Sequence, residues 1–523
     1  MKKNSISTAV LASLAGIAGI ANISSAVNIN PDGTGQTLIY PYYTTNGGNQ
    51  TLLSVVNTTS QGKAVKIRIL EGRNSFEVLD FNLFLSREDV WTAGILNLGG
   101  ATSPASILTT DTSCTAPAFA QEGTSTASGI PFVSFRNFLY LNDTVGGTGL
   151  DRTREGHIEM IEMATLSGGL DSDITHVNDV PFNCERGLGN GRFGQARIVA
   201  ANLGEPTGGL FGGAAVLNIA NGTYTNYSAT ALDAFWGPGV GSQYTDPDSV
   251  TPSLSDAGNI AGSTSLVFNN GRIISSTWGT ANVGSTNPTG QRIDSVSAVF
   301  MADTFFNEYS TLTANNESSE WVITFPTKRF YVNGLPSTTA SPLPPQSIGA
   351  PGALPPFANR YTGQACDPIG IASWNREEFS GSAGPVPFSP PAPGQAGPAL
   401  CFETNVLTFN QTITNATNGT SSPSKIFGSV HARNINTPRI AGAAGNGTQA
   451  GWTRISLTGR QLRPSIELHR FTGLPVAGFW AISIENNNAT PGVKGFYGGA
   501  FNHRNSRSCA SGNVAPVGNC VTP

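Results

Sequence analysis

The chain has 523 residues, of which only 12% are charged, against 62 glycines and 33 prolines, and its formal net charge is −4. This balance excludes helix bundles and coiled coils, which need charged helix formers, and matches turn-rich β structure. Beyond the N-terminus lysine occurs only at positions 63, 66, 328, 425 and 494, so no basic patch can neutralise a run of phosphates and nucleic acid is excluded as a partner.

Lys2 and Lys3, an apolar run from Ala9 to Ala21 and the small residues Ser24-Ser25-Ala26 form the pattern of a secretory signal peptide. Cleavage is expected after Ala26, which makes the protein an exported one, located at the cell surface, outside the cell or in the periplasm. No second apolar stretch approaches the roughly 20 residues of a membrane span. The six cysteines, at 114, 184, 366, 401, 509 and 520, are an even number in an exported chain and predict disulfides. Pairing neighbours in sequence gives Cys114 with Cys184, Cys366 with Cys401 and Cys509 with Cys520. On the loop-entropy model each stabilises by about 3 to 4 kcal/mol.

After the signal segment, Asn28 to Gly33 places oxygen ligands at alternate positions, making Asn30 and Asp32 calcium candidates, although Ile39 stands where a bidentate Glu is needed. Three strand-length runs follow, Thr37 to Tyr43, Leu52 to Asn57 and Ala64 to Leu70, separated by polar turns and expected to form a meander. In the third, Val65, Ile67 and Ile69 alternate with Lys66 and Arg68, which predicts one buried and one wet face. Leu79 to Leu85 repeats the alternation. Ser86 and Asp89 have the spacing of a capping box, predicting a helical turn from Asp89 to Ala93.

The segments Leu53-Ser54-Val55-Val56-Asn57-Thr58, Lys63 to Glu71 and Phe81 to Trp91 together resemble an immunoglobulin-like β-sandwich, and are similar to such regions in secreted proteobacterial proteins. The resemblance covers about the first hundred residues after the signal segment and implies an architecture, on which many functions occur.

Further strands are expected at Phe132 to Phe135, Gly156 to Ala164, Ala196 to Ala201, Ala214 to Ala220, Val296 to Ala302, Trp321 to Phe325, Val406 to Phe409, Thr453 to Leu457 and Ala477 to Ile484. The stretches Ser341 to Pro356 and Gly381 to Pro398 shift to Pro, Gly, Ala and Ser and read as loop or linker. The expected organisation is all-β: immunoglobulin-like sandwich domains with long loops, in regions 27–235, 236–340, a linker at 341–400, and 401–523.

No nucleophile elbow, zinc helix, phosphate loop or dinucleotide fingerprint is present, and no catalytic residue is assigned. The most enzyme-like segment is Glu155 to Met163, where His157 and Glu159 share a strand face and Ile158, Met160 and Glu162 the other; an amphipathic strand explains it as well as an acid/base pair. Asp171 and Asp173 form the second calcium candidate, competing with an ordinary turn. No cofactor is expected other than calcium at these two places, since the five histidines, at 157, 176, 431, 469 and 503, form no compact motif for zinc or copper. Tyr40, Tyr42, Tyr43, Trp236, Trp278, Trp374 and Trp452 are candidates for a sugar platform; Trp321 and Trp480 are expected in the core and Trp374 exposed. These features point to a structural, adhesive or self-assembling protein of the cell surface or matrix, partnered by itself or by other envelope components. In that reading the segment Val27 to Thr37 pairs with a neighbour's sheet edge. The alternative is a carbohydrate-binding or carbohydrate-active protein with glycans as partners.

Overall fold

The computed structural model describes residues 26–119, 124–127, 129–188, 198–269, 271–280, 290–333, 353–380, 398–410, 424–437, 449–490, 493–512 and 520. The segment expected to be a signal peptide and most of both Pro/Gly-rich stretches lie outside these residues.

The fold is predominantly β. A ten-stranded sheet runs in the order Arg272–Trp278, Ser263–Asn269, Ala26–Ile29, Thr230–Asp233, Thr37–Thr44, Glu155–Leu166, Lys63–Glu71, Glu77–Leu85 and Cys114–Ala116, with Leu203–Gly204 beside Glu155–Leu166. A seven-stranded sheet runs Thr223–Ser228, Leu210–Asn218, Gln50–Asn57, Val90–Leu96, Ser106–Leu108, Pro131–Ser134 and Thr124–Ser125. The two share one core, in which Tyr40, Val65, Ile67 and Ile158 of the first sheet meet Leu53, Val55, Trp91 and Val216 of the second. Residues beyond 300 add a five-stranded sheet, Ala432–Ile435, Thr404–Phe409, Glu317–Thr324, Ala477–Thr490 and Val493–Asn502, and a four-stranded sheet, Gly370–Asn375, Ala450–Ser456, Thr304–Ser310 and Arg504–Ser506.

These later strands extend the same interior. Val322, Val406, Phe479 and Ala481 join the core around Tyr42 and Tyr43, while Val27, Ile39 and Leu232 join a second core with Val296, Phe305 and Trp321. Hydrogen bonds cross as well: Thr324 Oγ1 donates to the Pro41 carbonyl at 2.6 Å, and Asn49 Nδ2 to that of Ile426 at 3.1 Å. Residues on both sides of positions 235, 340 and 400 therefore share the two cores.

Several local expectations change. The runs between 37 and 71 form strands but no meander: Thr37–Thr44 and Lys63–Glu71 lie in the ten-stranded sheet and Gln50–Asn57 in the other, so the chain crosses the sandwich at each turn. Val65, Ile67 and Ile69 enter the core, but the opposite face is dry too, with Lys66 0% and Arg68 1% exposed. Lys66 pairs with Asp80 and donates to the Pro247 carbonyl at 2.6 Å; Arg68 lies 2.6 Å from Glu77 and 3.3 Å from Glu159. Period-2 charge marks a wet face only when nothing covers the sheet; here complementary charges allow the face to be buried.

Ser86 does donate its N–H to Asp89 at 2.9 Å, but Glu88 adopts φ 56°. That left-handed residue ends the turn, and Val90 starts a strand rather than a helix. Conversely, Val296 to Phe300 belong to the α-helix Arg292–Phe300, opened by Gln291 and Asp294, and only Met301–Ala302 is strand. Of the strand expected at Ala196 to Ala201, residues 200–202 form a short 3-10 turn, and 196 and 197 lie outside the described residues. The segment Ala26–Ile29 is paired on both edges inside its own sheet, antiparallel to Thr230–Asp233 and parallel to Ser263–Asn269, so it cannot serve a neighbour's edge.

Candidate functional site

The outer face of the seven-stranded sheet carries an open groove of about 1260 Å³. Its floor follows from strand periodicity. In register, Gly213 lies beside Ser54 and Ser54 beside Thr92, while Ala215 lies beside Leu52 and Leu52 beside Gly94. Small residues at most of these positions keep the surface low, with Leu52, 45% exposed, rising between Ala215 and Gly94. Around this strip stand Phe211, Tyr224 and Phe501, which are 42%, 54% and 51% exposed.

The second wall is the hairpin of Ala477–Thr490 and Val493–Asn502, which lies along Thr223–Ser228. Its approach is close: a Cβ on Gly498 would come within 2.3 Å of the Tyr224 carbonyl oxygen, so glycine is required there. Phe501 stacks on Trp480 with centroids 5.1 Å apart, which fixes its ring at the rim. The lining also holds hydroxyl and amide groups of Ser54, Thr92, Thr109, Asn226 and Asn502, the apolar Leu52, Leu96 and Leu108, and His503 and Arg504, and among the described residues it contains no carboxylate. Rings flanking a floor that mixes apolar side chains with hydroxyl and amide groups suit a ligand with apolar faces and many hydroxyls.

Of the aromatic candidates, Tyr40, Tyr42, Tyr43, Trp236 and Trp278 are core residues and form no platform. Trp321 is buried, whereas Trp480 is only half-buried. Trp374 is half-buried and stacks on Trp452, centroids 4.3 Å apart, on the outer face of the four-stranded sheet.

His157 and Glu159 do share a face of Glu155–Leu166, but both are wholly buried and neither lines the groove. Glu159 faces Arg68, and burial together with Arg329 and Arg68 lowers the His157 imidazole to about 3, so it is neutral at physiological pH. Glu162 lies on the opposite face, 2.8 Å from Lys63 and accepting the Gly208 N–H at 2.7 Å. A smaller cavity of about 600 Å³ includes Glu77 and Asp80, which are held by Arg68 and Lys66.

Asn30 closes a local turn, accepting from the Asp32 N–H at 3.0 Å and donating to the Thr34 carbonyl at 2.7 Å. Asp171 receives Arg87 at 2.9 Å and the Gly62 N–H at 3.2 Å, while Asp173 is paired with Arg186. The side chains of Asn30, Asp171 and Asp173 are thus each tied to partners of their own. Among the described residues, no group of three or more His, Cys, Asp or Glu side chains is arranged to hold a metal ion, and no helix is long and apolar enough to cross a membrane. Disulfides join Cys114 to Cys184, Cys366 to Cys401 and Cys509 to Cys520.

Sequence reasoning had no hold on the groove. Its residues, Gly94, Gly213 and Ala215 above all, read as ordinary small strand residues, and only the pairing of strands about 160 positions apart shows that they are adjacent. No protein-family model, curated protein or solved structure matches the chain.

Proposed function

We propose that this is an exported glycan-binding protein that seats an extended sugar chain in the groove of the seven-stranded sheet, in an adhesive role at the cell surface or in its matrix. The observation that carries the reading is the groove itself: a low strip of small residues between aromatic rims, open along its length and larger than the roughly 300 to 1,000 Å³ of a small-molecule pocket. Its lining favours binding over cleavage, because glycoside hydrolysis ordinarily uses two carboxyl groups facing the scissile bond, and the described lining residues carry hydroxyls, amides, rings, aliphatic groups and one guanidinium. The three disulfides support export. The immunoglobulin-like resemblance enters only as a proposal for the strands between Gln50 and Leu96.

The test is affinity electrophoresis of the mature chain through gels containing soluble polysaccharides. Retardation by at least one polysaccharide is expected, with at least tenfold weakening in Ser54→Phe, which fills the floor with a residue suited to a strand. Normal retardation of that variant, or none of the native protein by any polysaccharide, overturns the proposal.

A further inference from the structure

The groove does not end on neutral ground. Arg504 lines it, and the same residue lies in the four-stranded sheet, in register with Phe306, which is in turn in register with Arg454. One pair along, Trp452 lies between Glu308 and Trp374. The alternation of burial turns Phe306, Glu308, Trp452 and Arg454 outward, away from Phe305, Tyr309 and Ile455, and Arg504, itself exposed, joins them by its register with Phe306. The surface next to the groove is therefore an aromatic platform flanked by cations. Trp374 and Trp452 stack, Phe306 meets Trp452 edge-on at 6.4 Å, and the Arg454 guanidinium lies 5.2 Å from the Trp374 ring centre. Trp452 is 39% exposed and both arginines are exposed.

Resting on the glycan reading of the groove, we infer that the bound polymer is an acidic polysaccharide, whose chain leaves the groove across Arg504 and continues over the tryptophan platform beside Arg454. Three observations support this. Among the described residues that line the groove, the fully charged side chain is a cation, Arg504. Of the outward residues on the four strands, Arg454 and Arg504 are cationic and only Glu308 is acidic, so the platform has a positive balance. The two arginines flank Phe306 from both neighbouring strands, roughly 10 Å apart across two strand spacings, an arrangement that meets carboxylates repeated along a chain. Guanidinium groups also bind carboxylates through two parallel hydrogen bonds, which favours a polymer of uronic acids over a neutral one.

Binding of the disulfide-intact mature chain would be measured by calorimetry at low salt. The probes are polygalacturonate, the same polymer fully methyl-esterified, a neutral β-glucan and oligo(dT). Polygalacturonate is expected to bind at least tenfold more tightly than its ester, with affinity falling as salt is raised. The double variant Arg454→Gln/Arg504→Gln should reduce acid binding at least tenfold, to the level of the ester, and Trp452→Ala should weaken both. Unchanged melting temperatures show that these exposed positions do not act through folding. Equal binding of acid and ester overturns the inference while leaving the glycan reading intact, and failure of all three polysaccharides removes both. Tighter binding of oligo(dT) than of polygalacturonate overturns the inference in favour of a nucleic-acid platform.

Discussion

Arg152 shows what the buried charges contribute. Its guanidinium grips Glu71 through two bonds of 2.8 and 2.9 Å and Asp143 at 2.6 Å, all three side chains being buried. Arg152→Leu leaves two carboxylates without their cation, and is expected to destabilise the fold by about 3 to 5 kcal/mol; a change in urea midpoint equivalent to less than 1 kcal/mol would contradict this. Titration gives a second expectation. Burial raises the carboxyl of Glu155 to about 7 and that of Glu403 to about 8, against about 4.3 in an unfolded chain. Between those values the folded chain holds protons that the unfolded chain has released, so this contribution is lost as pH rises through the window. Burial lowers the imidazoles of His157 and His503 to about 3 and about 4; their contribution is lost as pH falls below about 6.5, because only the unfolded chain then takes up the proton. The two sets oppose each other from about pH 4.5 to 6.5, and above that the carboxyl groups act alone. Urea midpoints should therefore be highest near pH 5 to 6.5 and decline toward pH 8, with the alkaline decline reduced in Glu403→Gln; a midpoint that climbs from pH 6.5 to 8 would refute the assignment. At this scale the sequence showed which residues alternate, and could not show that Lys66 and Arg68 would find Asp80, Glu77 and Glu159 on other strands.

Elements were legible where their pattern was local. The strands at 50–57, 63–71, 155–166 and 317–324 each declare themselves through apolar runs bounded by turn residues. The helix Arg292–Phe300 did not, because its apolar residues fit a strand equally well and its opening residue, Gln291, is an uncommon cap. What makes it a helix is Asp294. That carboxylate accepts from the Gln291 N–H at 2.6 Å, from Tyr331 at 2.9 Å and from Arg463 at 2.7 Å. Asp294→Ala removes the cap and strands the buried Arg463, so a loss of about 3 to 5 kcal/mol is expected. Asp294→Asn should cost less by retaining the cap acceptor, and equal losses in the two variants would show that the cap contributes nothing.

At the scale of the whole molecule, the core around Tyr42 is completed from the distant end of the chain. Tyr42 donates to Glu155 at 2.9 Å, Glu155 in turn accepts from the Val430 N–H at 3.2 Å, and Phe479 stacks on Tyr227 with centroids 4.6 Å apart. A fragment of residues 27–340 lacks Val406, Phe427, Phe479 and Ala481 and leaves that core open. It should bind a hydrophobic dye and melt without a cooperative transition, while the full chain melts in one; a fragment melting as sharply as the full chain would establish an independent N-terminal domain. No sequence pattern announced this closure, since strand pairing across hundreds of residues leaves no local trace, and the groove was hidden for the same reason. The pairing of Ala26–Ile29 also sets a timetable. These residues leave the ribosome early, yet their partners at 230–233 and 263–269 emerge more than two hundred residues later. During that interval the strand has no seat, so this part of the chain must wait unpaired with its apolar segments exposed. Assembly of the sheet is thereby deferred until residues 263–269 have been made, and the slowest step in folding is expected to be the return of late strands to this early one.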